Sequence, residues 1–170
     1  MNTIELAELA WSAGVIDGEG CIHIRYTDAC YYPGSRNPQH TLYLKVTMTH
    51  EATVRRLHGL FGVGSVQVQR PAKGGGTNLS VAFSWLCTSL KAAEVLKVVR
   101  PYLFTKAEEA AVALEFAALP RSTGGSNLIP GDVLRRRHEL YTELCLLKPT
   151  NAHRGIKPLP LALTLPGKNV

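Results

Sequence analysis

The chain has 170 residues, 45% hydrophobic and 19% charged, which fits one domain with its own core and excludes a disordered segment or two full domains. Its 19 Lys and Arg against 13 Asp and Glu give a net charge of +6, a balance suited to a phosphate-bearing partner, because binding phosphates releases counterions. The acidic opening MNTIELAELAW lacks the basic-then-apolar order of a signal peptide, and no apolar run reaches membrane-spanning length, so a soluble intracellular protein is expected.

IELAELAW opens a helix, with Ile4, Leu6, Leu9, Ala10 and Trp11 at spacings that gather on one side. It runs into SAGVIDGEG, residues 12–20, where Gly14 and Gly18 interrupt the helix and Asp17 and Glu19 fall in its last turn. Both features cost stability. A glycine inside a helix costs about 0.8–1 kcal/mol relative to alanine, and a carboxylate at the C-terminal end faces the negative pole of the helix dipole. Gly20 is expected to end the helix in the left-handed conformation. The period then changes to two. CIHIRYT sets Cys21, His23, Arg25 and Thr27 against Ile22, Ile24 and Tyr26, a half-buried strand. A long turn over 28–40 leads to TLYLKVTMT, with Leu42, Leu44, Val46 and Met48 on one face and Tyr43, Lys45, Thr47 and Thr49 on the other.

HEATVRRLHGLFG predicts a short helix with Val54, Leu57 and Leu60 or Phe61 inward and a stop at Gly62. SVQVQR is a third strand, KGGGTN a hairpin tip, and NLSVAFSW a fourth strand with Leu79, Val81, Phe83 and Trp85 opposite Asn78, Ser80, Ala82 and Ser84. Helices follow at about 89–99, 106–119 and 132–147, the last carrying the run Arg135, Arg136 and Arg137, expected to be a solvated face. Pro149, Pro158, Pro160 and Pro166 predict an extended tail, so one domain is expected over 1–150 with a Pro-rich tail over 151–170. Cys21, Cys30, Cys87 and Cys145 are scattered without CxxC spacing. They read as free thiols, three of them in apolar surroundings, rather than as a disulfide framework or a zinc site.

The order helix, two strands, helix, two strands, helices implies an α+β fold, a sheet covered by helices on one face only. Its other face carries Arg, Lys, Thr, Tyr, Gln, Ser and Asn with almost no carboxylates, the side chains used in groove readout, on ribbons of the right width for the major groove. Ala10, Gly14 and Gly18 are spaced i, i+4, i+8 and form one smooth ridge, suited to close approach of the same helix from a second copy, or of another element of this chain. A carboxylate near helix-end carbonyls without intrahelical partners forms an all-oxygen setting for a hard cation such as Mg²⁺.

Read as Ser-Ala-Gly-Val-Ile-Asp-Gly-Glu-Gly, residues 12–20 resemble the LAGLIDADG motif in nine gap-free positions, and the element order over roughly 5–147 is similar to that of the LAGLIDADG homing endonucleases. The resemblance implies a mixed α/β fold (αββαββα) with a four-stranded, saddle-shaped antiparallel sheet over DNA. It implies motif helices paired on a two-fold axis through Ala10, Gly14 and Gly18, and Mg²⁺ held by Glu19 and the Gly18 carbonyl, with Ca²⁺ or Mn²⁺ as substitutes. Glutamate stands at position 19 where the family usually has aspartate, which lengthens the reach by one methylene. Asp17 is implied to be a structural helix-end residue, Lys106 to lie near the cleaved phosphate, and His50, where an amide is commoner, to organise water or act as base with Arg55 or Arg56. His23, Arg25, Thr27, Tyr43, Lys45, Thr47, Gln67, Gln69, Asn78 and Ser80 are implied to face DNA. Arg70 and Lys73 are implied to reach phosphates, and Asn151, His153 and Arg154 the DNA backbone. One motif per chain implies a homodimer that cuts both strands of a long pseudo-palindromic double-stranded DNA site, intron-encoded, with no membrane or small-molecule substrate. The alternative is an RNA-splicing maturase or a non-cleaving DNA- or RNA-binding module, since one fold serves both. An acid at 19 together with Lys106 favours the enzyme.

Overall fold

Period-two alternation produces two long antiparallel strands, β1 (Gly20–Thr27) and β2 (Gln39–Met48), with Gly20 opposite Val46 and Thr27 opposite Gln39. They belong to a four-stranded antiparallel sheet of order β1-β2-β4-β3, completed by β3 (Ser65–Gln69) and β4 (Ala82–Thr88). In this computed structural model, which describes residues 5–28, 38–70, 80–121, 129–148 and 156–157, five helices accompany the sheet. They are α1 (Leu6–Glu19), α2 (Glu51–Phe61), α3 (Ser89–Val99), α4 (Ala107–Ala118) and α5 (Gly131–Leu146), with a 3-10 turn over Arg100–Tyr102. The α+β class, the element order and the one-sided covering of the sheet are as the sequence implied. No helix among the described residues is long and apolar enough to cross a membrane.

The core lies between one sheet face and the helices. Ile22, Ile24, Leu42, Leu44, Val46, Trp85 and Cys87 project from the sheet and meet Ala13, Ile16, Val54, Leu57, Leu96, Ala110, Phe116 and Leu140 from the helices. Trp85 is fully buried, stacked on Phe61 at 5.4 Å between ring centres, and donates from Nε1 to the Val63 carbonyl at 2.9 Å. α2 turns its predicted face inward, with Val54, Leu57 and Phe61 buried, and stops at Gly62 in the left-handed conformation at φ 63°.

Five expectations are corrected. Gly20 is not left-handed; at φ −81°, ψ 152° it enters β1 directly, its N–H donating to the Ile16 carbonyl. Its glycine is required by proximity, since a Cβ there would sit 2.4 Å from the Ile16 oxygen. The fourth strand runs from Ala82 to Thr88 rather than over 78–85, leaving Ser80 and Val81 exposed before it, because Leu86 lies on the open face and its apolar side chain hides the alternation. The side of α1 carrying Leu6 and Ala10 faces outward while Ser12, Ala13 and Ile16 are buried, because apolar residues run almost all the way round this helix. Cys21 is exposed and Cys145 half-buried; Cys87 is buried, and burial pushes its thiol up to about 12. Cys30 lies outside the described residues, as do Ile4, Leu79 and most of 151–170.

The fifth correction is Arg137, which is 4% exposed rather than solvated. Its guanidinium lies 4.2 Å over the Phe116 ring and donates to the carbonyls of His40 (3.0 Å) and Pro120 (3.2 Å). Arg136 pairs outward with Glu115 and Glu139, and Arg135 is exposed. Beside Arg137, His40 Nε2 and His138 Nδ1 are 3.2 Å apart in a buried cluster with Tyr26 and Tyr141.

Burial, with the nearby His138 and Arg137, lowers His40 from 6.5 to about 3. Burial also lowers His138, against the pull of the Lys157 backbone. A histidine with a depressed folded pKa leaves the native chain with fewer bound protons than the unfolded chain below pH 6.5. Stability is therefore full above that pH and falls as pH drops toward 3. Urea unfolding at pH 7 and pH 5 is expected to show a loss of at least about 2 kcal/mol; equal stability at the two pH values would show that the pair is not held neutral.

Candidate functional site

The last turn of α1 meets the start of α4, and Asp17 makes the joint. Its Oδ2 accepts the Phe104 N–H at 2.7 Å, and its Oδ1 accepts the Lys106 N–H at 3.0 Å and the Thr105 hydroxyl at 3.0 Å. Burial alone would raise this carboxyl; the N–H groups of Phe104 and Lys106, then the Thr105 hydroxyl and N–H, outweigh it and hold the pKa below 3.8. The structural role implied for Asp17 is thus a cap on a second helix. The Lys106 ammonium donates to the Asp17 main-chain carbonyl, one of those left over at the end of α1. A cation therefore sits at the negative pole of α1, two residues from Glu19, which offsets the dipole cost noted above. Glu19 is exposed, and no side-chain hydrogen bond or ion pair to it is found among the described residues. Thr105, which the sequence reading missed, has no local signature; only the 88-residue contact reveals it.

His50 follows β2 and is exposed, its Nδ1 2.8 Å from the Thr53 hydroxyl. Since Gly20 pairs with Val46, Glu19 and His50 lie at the same end of the sheet. The two arginines considered beside His50 are engaged elsewhere. Arg55 pairs with Glu51, while Arg56 lies 4.4 Å over the Trp11 ring and pairs with Glu8 at 2.7 Å, tying α2 to α1.

The sheet face away from the helices carries Cys21, His23, Arg25 and Thr27 of β1, in register with Lys45, Tyr43, Thr41 and Gln39 of β2. Thr47 continues the row, 2.9 Å from the Ser84 hydroxyl, and Ser84 faces Gln67 of β3 with Gln69 beyond it. No Asp or Glu occupies a strand position on this face. Gln39 and Thr88 share the parity of the predicted residues and were missed because β2 and β4 extend further than the turn signals indicated, while Thr41 and Ser65, which open the predicted strands, also face this side. His23 stacks on Tyr43 with ring centres 4.9 Å apart and 8° between planes. Burial, followed by the charges of Lys148, Lys45 and Arg25, holds His23 at about 4, so it is neutral near pH 7. Arg70 is exposed just after β3, and Ser80 just before β4. Lys73, Asn78, Asn151, His153 and Arg154 lie outside the described residues.

Ala10, Gly14 and Gly18 are exposed along one ridge of α1, and a Cβ on Gly14 or Gly18 would meet nothing within 4 Å. Two exposed apolar side chains flank that ridge. Leu6 (66% exposed) precedes Ala10 by one helical step of four, and Phe104 (90% exposed) sits at the Gly18 end through its N–H to Asp17. Among the described residues no group of three or more His, Cys, Asp or Glu side chains converges on one point. The oxygen donors at the end of α1 suit a hard cation, but one chain contributes a single free carboxylate there, so a complete site needs donors from elsewhere.

No family model matches the chain, and no curated protein matches it. Solved structures do. The homing endonuclease I-CvuI, crystallised on the I-CreI target with Mg, superposes with a TM-score of 0.68 at 19% identity, covering 85% of this chain and 84% of that one. The archaeal intron-encoded homing endonuclease I-Vdi141I, in complex with DNA, superposes with 0.64 at 14% identity, covering 88% and 92%. The LAGLIDADG homing endonuclease I-LtrWI, bound to target DNA, gives 0.62 at 18% identity, covering 84% of this chain but 45% of that one. The fold is theirs.

In an Asp17→Asn variant one carboxylate oxygen becomes an NH₂ group facing a backbone donor. Urea denaturation is expected to show a loss of about 1–2 kcal/mol; unchanged stability would mean that the α1–α4 joint does not depend on this charge.

Proposed function

We propose that this chain, which has the fold of the LAGLIDADG homing endonucleases, is itself a metal-dependent endonuclease of that family, acting as a homodimer on both strands of a long pseudo-palindromic DNA site. The observation that carries this reading is the bare ridge of Ala10, Gly14 and Gly18 ending at an exposed Glu19 beside Lys106. A second α1 packed on the ridge would cover Leu6 and Phe104 and bring two Glu19 carboxylates together, each copy contributing what the other lacks. The chain fills most of I-CvuI and under half of I-LtrWI, the size of one half of a two-fold assembly. An intron-encoded origin is supported by the likeness to I-Vdi141I.

In this mechanism the open sheet face lies on the duplex. Arg25 and Lys45 supply charge, while neutral His23, Tyr43, Thr27, Thr47, Gln67 and Gln69 meet base edges, and Arg70 and Lys73 approach phosphates. The domain of 1–150 carries these functions, and Asn151, His153 and Arg154 at the start of the tail follow the DNA backbone. Glu19 and the Gly18 carbonyl would hold Mg²⁺, for which Ca²⁺ or Mn²⁺ could stand in. When bound, the cation supplies positive charge to the scissile phosphate and a water of lowered pKa. Glu19 would hold the cation, Lys106 would order water or add positive charge near the cleaved phosphate, and His50 would hold solvent at the same end of the sheet. A pure RNA- or DNA-binding module would have no need of an exposed Glu19, whereas Lys106 also serves the α1–α4 joint in either case.

Sites selected from a randomised DNA library with Mg²⁺ are expected to be bound by Glu19→Gln as tightly as by the wild type while cleavage falls at least about 100-fold. Cutting at the wild-type rate would remove Glu19 from the chemistry, and binding without wild-type cutting would favour the maturase alternative. In sedimentation the wild type is expected to run as a dimer, and Gly14→Leu and Phe104→Asp as monomers; a wild-type monomer at micromolar concentration would remove the paired-helix arrangement.

A further inference from the structure

On the core side of the sheet, at the end away from Glu19, His40, Ser89, Phe116, Arg121 and Arg137 line a cavity of about 30 Å³, room for one or two water-sized particles. Two buried polar atoms of its lining have no hydrogen-bond partner among the described residues: Arg137 Nε and His40 Nδ1, on side chains 4% and 7% exposed. The other nitrogens of Arg137 are spent on neutral acceptors, the His40 and Pro120 carbonyls, and among the described residues no carboxylate pairs with it. Burial, and then the like charge of Arg121, lowers Arg137 only to about 10, so it stays a cation at neutral pH. α3 starts at the same cavity with Ser89, and its N-cap Thr88 makes no side-chain capping bond. The positive pole of an 11-residue helix and two guanidinium groups therefore converge on one small space, with no counter-charge among the described residues.

We propose that this cavity binds one small inorganic anion of halide size. Arg137 Nε–H and the first-turn N–H groups of α3 donate to it, with Arg121 at the mouth. The anion links β2, α3, the end of α4 and α5, so the stability of this end of the sheet depends on the identity of the anion as well as on ionic strength. A water molecule fits the same space but leaves Arg137 uncompensated.

Crystals grown in sodium bromide and measured at the bromine edge are expected to show an anomalous peak in the cavity, within hydrogen-bond distance of Arg137 Nε. In parallel, melting in sodium chloride against sodium gluconate at equal ionic strength is expected to give a saturable rise in Tm of about 3 °C for the wild type. The rise should be at least halved in Arg121→Gln, whose side chain is exposed and whose folding is not at risk, and absent in Arg137→Met. Density without anomalous signal, meaning water, would overturn the proposal. So would equal melting in the two salts, a bromide peak without any saturable Tm response, or an Arg121→Gln response equal to the wild type. Should Arg137→Met fail to fold, the anomalous map and Arg121→Gln decide.

Discussion

One carboxylate organises the end of the molecule where chemistry is proposed. Asp17 accepts the N–H groups that open α4 and so fixes the distance between two helices whose sequences lie nearly ninety residues apart. With α4 docked there, Lys106 reaches the leftover carbonyl of Asp17 and neutralises the pole that Glu19 extends. The two acids of the motif thus have separate roles. Asp17 is consumed by the fold, and Glu19 is left free because its neighbour has satisfied the helix end.

The same division of labour runs through the sheet. Core-side residues meet five helices, and the face away from them is stripped of negative charge. His23 is stacked and kept neutral by burial and surrounding cations, so it offers directed hydrogen bonds rather than another positive charge. Arg56 lies over Trp11 and pairs with Glu8, holding α1 from its N-terminal half while Asp17 holds it from the other. A helix gripped at both ends can present a ridge of bare backbone between them.

The legible parts of this fold are those encoded within ten residues. Period-two alternation placed β1 and β2 with the correct faces, and a helical stop at Gly62 was visible because only a left-handed residue fits it. Nine motif positions in register set Asp17 apart as a helix-end residue, and in the structure it accepts from Phe104, Thr105 and Lys106. What escaped depended on distant partners or on a misleading local pattern. Three consecutive arginines on a helix point about 100° apart, so one of them had to face differently. That Arg137 is the buried one follows from the His40 and Pro120 carbonyls and the Phe116 ring, none of which is local. Leu86 disguised the course of β4 by placing an apolar side chain on the polar face. In α1, nearly continuous apolarity concealed which side was inward.

The chain contains two tryptophans, and they occupy unlike environments. Trp85 is sealed in the core against Phe61, whereas Trp11 is half-buried on α1 beneath the Arg56 guanidinium. Intrinsic fluorescence consequently carries two separable channels. The Trp85 signal follows global unfolding, while the emission of Trp11, quenched or shifted as its cationic lid moves, follows events on the motif helix. Phenylalanine in place of either indole would isolate one channel, giving a label-free optical report on the motif helix in a chain that needs no added dye.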